Sequence, residues 1–214
     1  MQIAILLFER VTALDAIGPY QVLSGMPGDE VVFVGERVGP IRSHTGRLGL
    51  LVDASLDEVS TPDVVVVPGG PGQADHMTDG PVHEWLHEVD KHTTWTTSVC
   101  TGSLILAAAG LLTGRRATSH WCAMDELAAL GAIPVRERTV FDGKYATAAG
   151  VSAGIDMALT LVGRIHGDET AQRIQLGIEY DPQPPYQAGS PDTAPDEVVA
   201  AYTNSSRFRA PTRS

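Results

Sequence analysis

The chain has 214 residues, of which 43% are hydrophobic, and it carries a net charge of −11. This length suits a single domain with a well-buried core. The acidic balance argues against nucleic acid as a partner, because a nucleic-acid-binding surface normally shows a basic stripe. Cys100 and Cys122 are the only cysteines, too few for the disulfide framework of a small secreted domain.

The first residues, "MQIAILLF", predict a core strand rather than a targeting segment. They lack the basic region that opens a signal peptide. No apolar run approaches the roughly 20 residues needed to span a bilayer. We therefore expect a cytoplasmic protein with reduced thiols and without a membrane partner.

Strand and helix patterns alternate along the chain. Strands are predicted at Ile3–Phe8, Val31–Gly35, Val64–Val67 and Trp95–Val99, followed by a hairpin with a type I′ turn at Asp142-Gly143. Helices are predicted at Gly18–Ser24, Val82–Lys91, Gly102–Ala109, Ala123–Leu130, Ser152–Ile165 and Glu169–Glu179. The run "DVVVVPGG" is apolar on successive residues, which is typical of a central parallel strand covered on both faces. The alternation predicts an α/β fold, a parallel sheet flanked by helices on both faces.

The last stretch, Asp181 to Ser214, differs in composition from the rest and holds 6 of the 14 prolines. Its first part, "DPQPPYQAGSPDTAP", is incompatible with regular helix or central strand. We therefore divide the chain into one α/β domain at 1–180 and a proline-rich arm at 181–214. The arm is either a disordered tail or an extended segment that packs on the body or on a second subunit.

Cys100 lies where a predicted strand ends and a predicted helix begins. In an open parallel sheet, ligands bind beyond the carboxyl ends of the strands, so Cys100 falls on the ligand-binding edge. The N–H groups of the following helix favour a thiolate at this position. The alternative is a buried cysteine that packs as a small hydrophobic residue. The small residues Gly102 and Ser103, which permit a tight turn, favour the reactive interpretation.

Several stretches resemble the ThiJ/PfpI superfamily, whose fold is flavodoxin-like (class I glutamine amidotransferase-like). They are "LDAIGPYQVL", "PGGPG", "SVCTGSLILAAAGLLTGRRATSHW" and "DGKYATAAGVSAGIDMALTLVGR". Within the superfamily, three features are similar to the isocyanide (isonitrile) hydratases: Asp15, Thr101 directly after the cysteine, and the ending "EYDPQPPYQAGSPDTAP". The resemblance implies that a small-molecule isocyanide is hydrated to an N-substituted formamide through a covalent thioimidate on Cys100. It implies a lyase that needs neither a metal nor an organic cofactor, and a homodimer.

The resemblance also assigns roles to residues around Cys100. Asp15 becomes the acid/base, with a helix N-cap as the alternative reading of this residue. The N–H groups of Gly70 and Thr101 are candidates to stabilise a developing charge, and the Thr101 hydroxyl is a candidate to bond a reacting group. Gly150 and Val151 lie at the junction that neighbours the nucleophile in the resembled family, and Val151 is a pocket-lining or a packed core residue.

Other histidines and cysteines are weaker candidates. "HEWLH", from His83 to His87, matches the zincin pattern, but Val82, Trp85, Leu86 and Val89 form the apolar stripe of that helix, and a third ligand is not evident. We therefore expect no metal there. His120 either takes part in catalysis or makes a structural hydrogen bond, and Cys122 is interpreted as packing.

Two other functions remain open. A glyoxalase- or deglycase-like member of the superfamily would use the same cysteine on reactive carbonyls. The ligand-sensing half of certain AraC-type regulators also resembles the "CTGS…HW" run. Those regulators carry a helix-turn-helix region downstream, for which the residues up to Ser214 leave no room, so we expect an enzyme.

Overall fold

The structure is a computed structural model that describes residues 1–205. The strands are β1 Gln2–Leu6, β2 Glu30–Gly35, β3 Gly39–Arg42, β4 Gly49–Val52, β5 Ala54–Ser55, β6 Val64–Val67, β7 Trp95–Val99, β8 Arg116–Ala117, β9 Ile133–Pro134, β10 Thr139–Asp142 and β11 Tyr145–Ala148. The α-helices are α1 Ala13–Leu23, α2 Pro81–Asp90, α3 Gly102–Ala108, α4 Met124–Ala129, α5 Ala153–His166, α6 Asp168–Gly177 and α7 Asp196–Ser205.

The central sheet has the strand order β10-β11-β7-β6-β1-β2-β5. All neighbouring pairs are parallel except β10 with β11. Helix α1 packs against α5, whereas α3 packs against β6, β7 and α4. Taken in chain order, β2, β1, β6, β7 and β11 follow the doubly wound order 2-1-3-4-5, in which ligands bind at the carboxyl edge of the sheet. This arrangement confirms the predicted flavodoxin-like α/β fold.

The middle of the sheet is fully buried. All four valines of β6 have 0% exposed surface, as expected for a strand with helices over both faces. β1 is similarly buried over Ile3 to Leu6. The strands that carry the carboxyl edge are therefore held rigidly from both sides.

Helix α1 begins five residues before the predicted start at Gly18. Gly18 and Pro19 have low helix propensity, but tertiary packing outweighs it: a Cβ at Gly18 would lie 3.1 Å from Ile155 Cγ1 of α5. The close approach of α1 and α5 needs the glycine. The earlier start places Asp15 inside the first turn, and Thr12 occupies the N-cap position. The N-cap interpretation of Asp15 is therefore wrong.

The predicted type I′ turn at Asp142-Gly143 is also wrong. Asp142 pairs with Tyr145, so the two turn residues are Gly143 and Lys144. A type I′ turn needs positive φ at both central residues, and of these two only Gly143, at 60°, has it. A glycine with positive φ at the first central position is typical of a type II′ turn.

Residues 181–195 form neither helix nor strand, as the prolines predict. Helix α7 follows them, and the sequence did not predict it. The rest of the predicted arm, residues 206–214, lies outside the described residues, and the division of the chain at 180 stays a prediction. No helix within residues 1–205 has the length and apolar character that crossing a membrane requires.

Candidate active site

Cys100 follows the last residue of β7 in a left-handed backbone conformation, with φ of 57°. Positive φ is rare for residues other than glycine and costs on the order of 1–3 kcal/mol. The side chain is fully buried. Backbone strain of this kind clusters at active sites, which makes Cys100 a candidate functional residue.

Hydrogen bonds hold this turn on both sides of the peptide. The Cys100 N–H donates to the carbonyls of Ala148 and Ala149, at 3.0 and 2.9 Å. The Cys100 carbonyl accepts the hydroxyls of Ser103 and Ser119, both at 3.1 Å. These four bonds offset the cost of the left-handed conformation. Ser119 was not identified from the sequence, because its contact with Cys100 spans 19 residues.

Two glycines allow the turn to lie directly against the end of β6. A Cβ at Gly102 would lie 2.0 Å from the Val67 carbonyl oxygen, and one at Gly69 would lie 2.5 Å from the Thr101 nitrogen. Both obstacles are backbone atoms, so no side-chain movement could relieve them. The glycines therefore fix how close the β6 loop comes to the cysteine.

Asp15 is fully buried and its carboxylate accepts the Gly69 N–H at 3.0 Å through Oδ2. The same carboxylate accepts a hydrogen bond from the Cys100 thiol. The structure therefore brings together the two residues on which the predicted chemistry depends, although they are far apart in the sequence.

Burial, followed by the negative charge of Asp15, raises the pKa of the Cys100 thiol well above its ordinary value. The backbone N–H groups of Thr101 and Val151 act in the opposite direction, with smaller effect. Desolvation beside a carboxylate therefore outweighs the N–H groups at the start of the following helix, which would lower the pKa of this thiol.

The remaining predicted site residues surround the same thiol. Thr101 presents its backbone N–H to the sulfur, and its hydroxyl oxygen accepts the Gly70 N–H at 3.0 Å. Gly70 therefore orients Thr101 rather than facing the sulfur directly. Val151 presents a backbone N–H to the sulfur, a contribution beyond the lining role predicted for its side chain. Backbone donors of this kind leave no signature in residue type.

A cavity of about 450 Å³ lies next to the nucleophile turn, which does not itself line it. Its wall includes Ser119, which bonds the Cys100 carbonyl, and Val151. The other lining residues are Leu14, Thr118, His120, Trp121, Met124, Arg136, Glu137, Arg138, Ala149, Gly150, Ser152, Gly189, Ser190, Pro191 and Asp192. A space of this size is typical of a small-molecule site.

The model of the DJ-1/PfpI family matches residues 1–164. The chain belongs to the DJ-1/PfpI family. This confirms the ThiJ/PfpI resemblance read from the sequence motifs.

Relatives include an isonitrile hydratase of Pseudomonas putida, 47% identical over 199 residues, which covers 93% of this chain and 87% of the relative. The crystal structure of a THiJ/PfpI family protein from Pseudomonas syringae superposes with a TM-score of 0.92 at 38% identity, covering 95% of this chain and 84% of that one. A transcriptional regulator of Pseudomonas aeruginosa, CdhR, is 34% identical over 140 residues, or 64% of this chain and 40% of the regulator.

His120 lies on the cavity wall of this DJ-1/PfpI domain. Its Nδ1 accepts the Cys122 N–H at 3.3 Å, which is the structural hydrogen bond considered as one alternative for this residue. A Cβ at Gly150 would lie 3.3 Å from His120 Cδ2, so the imidazole packs directly on the segment that leads into Val151.

The "HEWLH" helix is α2, and it faces the sheet as its apolar stripe predicts. His83 is buried and its Nε2 contacts the His76 carbonyl at 2.9 Å, whereas His87 is exposed. Among residues 1–205, no three metal-ligating side chains form a cluster. The two histidines of the motif therefore occupy different environments and do not share a binding face.

Proposed function

We propose that this DJ-1/PfpI protein hydrates isocyanides to N-substituted formamides, with Cys100 as the nucleophile and Asp15 as the acid/base. The observation that carries the proposal is the buried contact between the Cys100 thiol and the Asp15 carboxylate beside a cavity of about 450 Å³. The isonitrile hydratase that is 47% identical supports the substrate class. No step of this reaction needs electrons from outside, a metal or an organic cofactor.

In the first step, the sulfur bonds to the terminal carbon of R–N≡C while the thiol proton moves to that same carbon. Asp15 accepts the proton from sulfur and delivers it to carbon, so that R–N=CH–S–Cys100 forms without net change of charge. The raised pKa of the Cys100 thiol suits this order of events, because the thiol retains the proton that the carbon requires. Thiolate forms only as the substrate accepts the proton.

In the second step, water adds to the thioimidate carbon and the nitrogen takes a proton, giving R–NH–CH(OH)–S–Cys100. Loss of the thiol then yields R–NH–CHO, and sulfur recovers its proton. Asp15 takes a proton from the attacking water and passes it to the nitrogen, and in the collapse it carries the hydroxyl proton to the departing sulfur. The backbone N–H groups of Thr101 and Val151, which face the sulfur, stabilise the charge that develops on it as the C–S bond breaks.

Gly70 and Thr101 contribute by position. Because the Gly70 N–H donates to Thr101 Oγ1, the hydroxyl hydrogen of Thr101 is directed away from that donor. It is then a donor for water or for the substrate nitrogen. Gly150 and the Val151 side chain line the substrate cavity.

The test is to supply cyclohexyl isocyanide to the wild-type protein and to Cys100→Ser, with N-cyclohexylformamide followed by NMR. We expect turnover by the wild type and a loss on the order of 10³-fold or more in Cys100→Ser, since the nucleophile is removed. Cys122→Ser is the matched control and keeps the activity. Turnover of methylglyoxal without any turnover of the isocyanide would favour the glyoxalase-like function instead.

We also propose that the protein is a homodimer, as the resemblance implies. Size-exclusion chromatography with light scattering at micromolar concentration is the measurement. A mass of one chain, 22.7 kDa, would contradict it.

A further inference from the structure

The C-terminal segment supplies one wall of the cavity beside Cys100. Four consecutive residues, Gly189 to Asp192, line it together with Ala149, Gly150 and Val151. A local turn shapes them: the N–H groups of Thr193 and Ala194 both donate to the Ser190 carbonyl, at 3.2 and 2.9 Å. The segments on either side, Asp181–Gln187 and Asp196–Ala201, are mainly exposed. The wall therefore depends on how this segment is held against the body.

Tyr202 of α7 holds the segment through ring contacts. Its ring stacks on His120, with centroids 6.0 Å apart and an interplanar angle of 25°, and it lies 5.5 Å from Trp121 at 39°. His120 and Trp121 themselves stack at 5.8 Å. These separations fall in the favourable range for aromatic pairs. Both partners of Tyr202 are cavity-lining residues.

The same contacts lead back to the reacting sulfur. His120 packs on Gly150, and the next residue, Val151, presents its N–H to the thiol. His120 therefore contacts both the segment that leads into Val151 and the arm. Tyr202 contacts His120 and Trp121, and it acts on this side of the site through them.

We infer that the segment Gly189–Tyr202 forms the specificity wall for the isocyanide substituent, and that Tyr202 is the positioning residue that keeps this wall closed. The inference rests on the proposed function for the chemistry and goes beyond it by assigning the choice of substituent to the arm. A substituent that fills the cavity contacts Gly189–Asp192. A methyl substituent stays beside Ser119 and Val151 and does not contact the arm.

The experiment compares methyl isocyanide with cyclohexyl isocyanide on the wild type, Tyr202→Ala and Tyr202→Phe. In Tyr202→Ala we expect KM for the cyclohexyl substrate to rise about tenfold, which corresponds to about 1.4 kcal/mol of binding. Both kcat and KM for methyl isocyanide remain unchanged. Tyr202→Phe keeps the ring and restores the wild-type KM. Tyr186→Ala is the matched control, since Tyr186 lies on the same arm but is 80% exposed and does not line the cavity.

A second measurement separates this inference from the proposed function. N-Cyclohexylformamide is added to the wild type and to Tyr202→Ala, and backbone hydrogen–deuterium exchange is followed over residues 189–194. We expect slower exchange in the wild type and no slowing in the variant. Slower exchange without turnover of either isocyanide would contradict the proposed function but support the specificity wall. Turnover of both substrates with unchanged exchange would contradict the specificity wall. An equal effect of Tyr202→Ala on both substrates would contradict it as well.

Discussion

The nucleophile turn lies behind the wall of the cavity that the C-terminal arm lines, and the two regions are built in opposite ways. Cys100 has 0% exposed surface, and hydrogen bonds engage both its N–H and its carbonyl. The arm runs through exposed residues on both sides of Gly189–Asp192, and its Tyr202 is 39% exposed. The turn is therefore held by the core, whereas the arm is held by ring contacts at the surface.

This difference separates two requirements of catalysis. Bond formation needs sulfur, carboxylate and backbone donors fixed within a few tenths of an ångström, which a buried sheet edge provides. Accommodating a substituent needs only a surface of suitable shape, which a peripheral segment provides. Three predictions test whether the division between turn and arm holds, beginning with the largest effect.

Asp15→Asn tests whether the chemistry belongs to the turn alone. We expect kcat/KM for both methyl and cyclohexyl isocyanide to fall by about 10²–10⁴-fold, the usual contribution of a general acid–base group. Because the carboxylate charge raises the pKa of the Cys100 thiol, its removal lowers that pKa. Thiolate absorbance against pH measures the shift, and steady-state kinetics measure the loss.

The two readouts therefore move in opposite directions: the thiol ionises more easily while the enzyme becomes slower. Asp57→Asn, the same change at an exposed position, is the control and alters neither. A variant with a lowered thiol pKa and wild-type turnover would mean that Asp15 only positions the cysteine.

Gly102→Ala and Gly189→Ala compare the packing of the two regions with one and the same change. Helix propensity alone would favour alanine at position 102 by about 1 kcal/mol. The added Cβ, however, would lie 2.0 Å from the Val67 carbonyl oxygen, and we expect a net loss of about 3 kcal/mol or more. At Gly189 nothing lies within 4 Å of the added Cβ, so the free energy of unfolding stays unchanged there. Urea unfolding of both variants is the measurement, and equal stability would show that the turn can move away from β6.

Tyr145→Phe extends the comparison to the other end of the strands, where Tyr145 begins β11. The Tyr145 hydroxyl donates to the Asp90 carboxylate at 2.8 Å. Burial first, and then this carboxylate, raises the pKa of Tyr145 to about 12. Loss of the hydrogen bond should lower the free energy of unfolding by about 1 kcal/mol at neutral pH, with activity unchanged.

The stability difference between wild type and Tyr145→Phe should also depend on pH. An unfolded tyrosine ionises near ~10, whereas in the folded protein the pKa of Tyr145 is about 12. The folded state therefore binds the proton more tightly, so its advantage is complete below pH ~10 and disappears as the pH rises through the folded value. Unfolding curves between these pH values measure the change, and a constant difference would contradict it.

Local pattern was sufficient to predict the nucleophile turn. The continuous apolar run Val64–Val67, the strand Trp95–Val99 and the small residues after Cys100 are features of neighbouring residues, and each has its predicted place. Long-range packing decided what the pattern missed. Asp15 lies in the first turn of α1 because Gly18 lets α1 pack closely against α5. Helix α7 is positioned by the contacts of Tyr202 with His120 and Trp121.

The pKa of the Cys100 thiol could not be predicted from the sequence for the same reason. The helix that follows the cysteine is visible in the sequence and suggests a stabilised thiolate. The depth of burial and the carboxylate of Asp15, which together raise the pKa of the thiol, depend on the folded arrangement. The donor groups of Thr101 and Val151 belong to the backbone, which is the same for every residue type.

The glycines at the β6 end also bear on how proteins of this kind diverge. Because the obstacles at Gly69 and Gly102 are backbone atoms, no compensating substitution elsewhere can make room for a larger residue. A descendant that changed its substrate would have to retain those two positions. The arm has no such constraint at Gly189, so mutations there are tolerated and selection can act on them. New substrate ranges would therefore arise in the arm first, while the reaction itself is inherited unchanged.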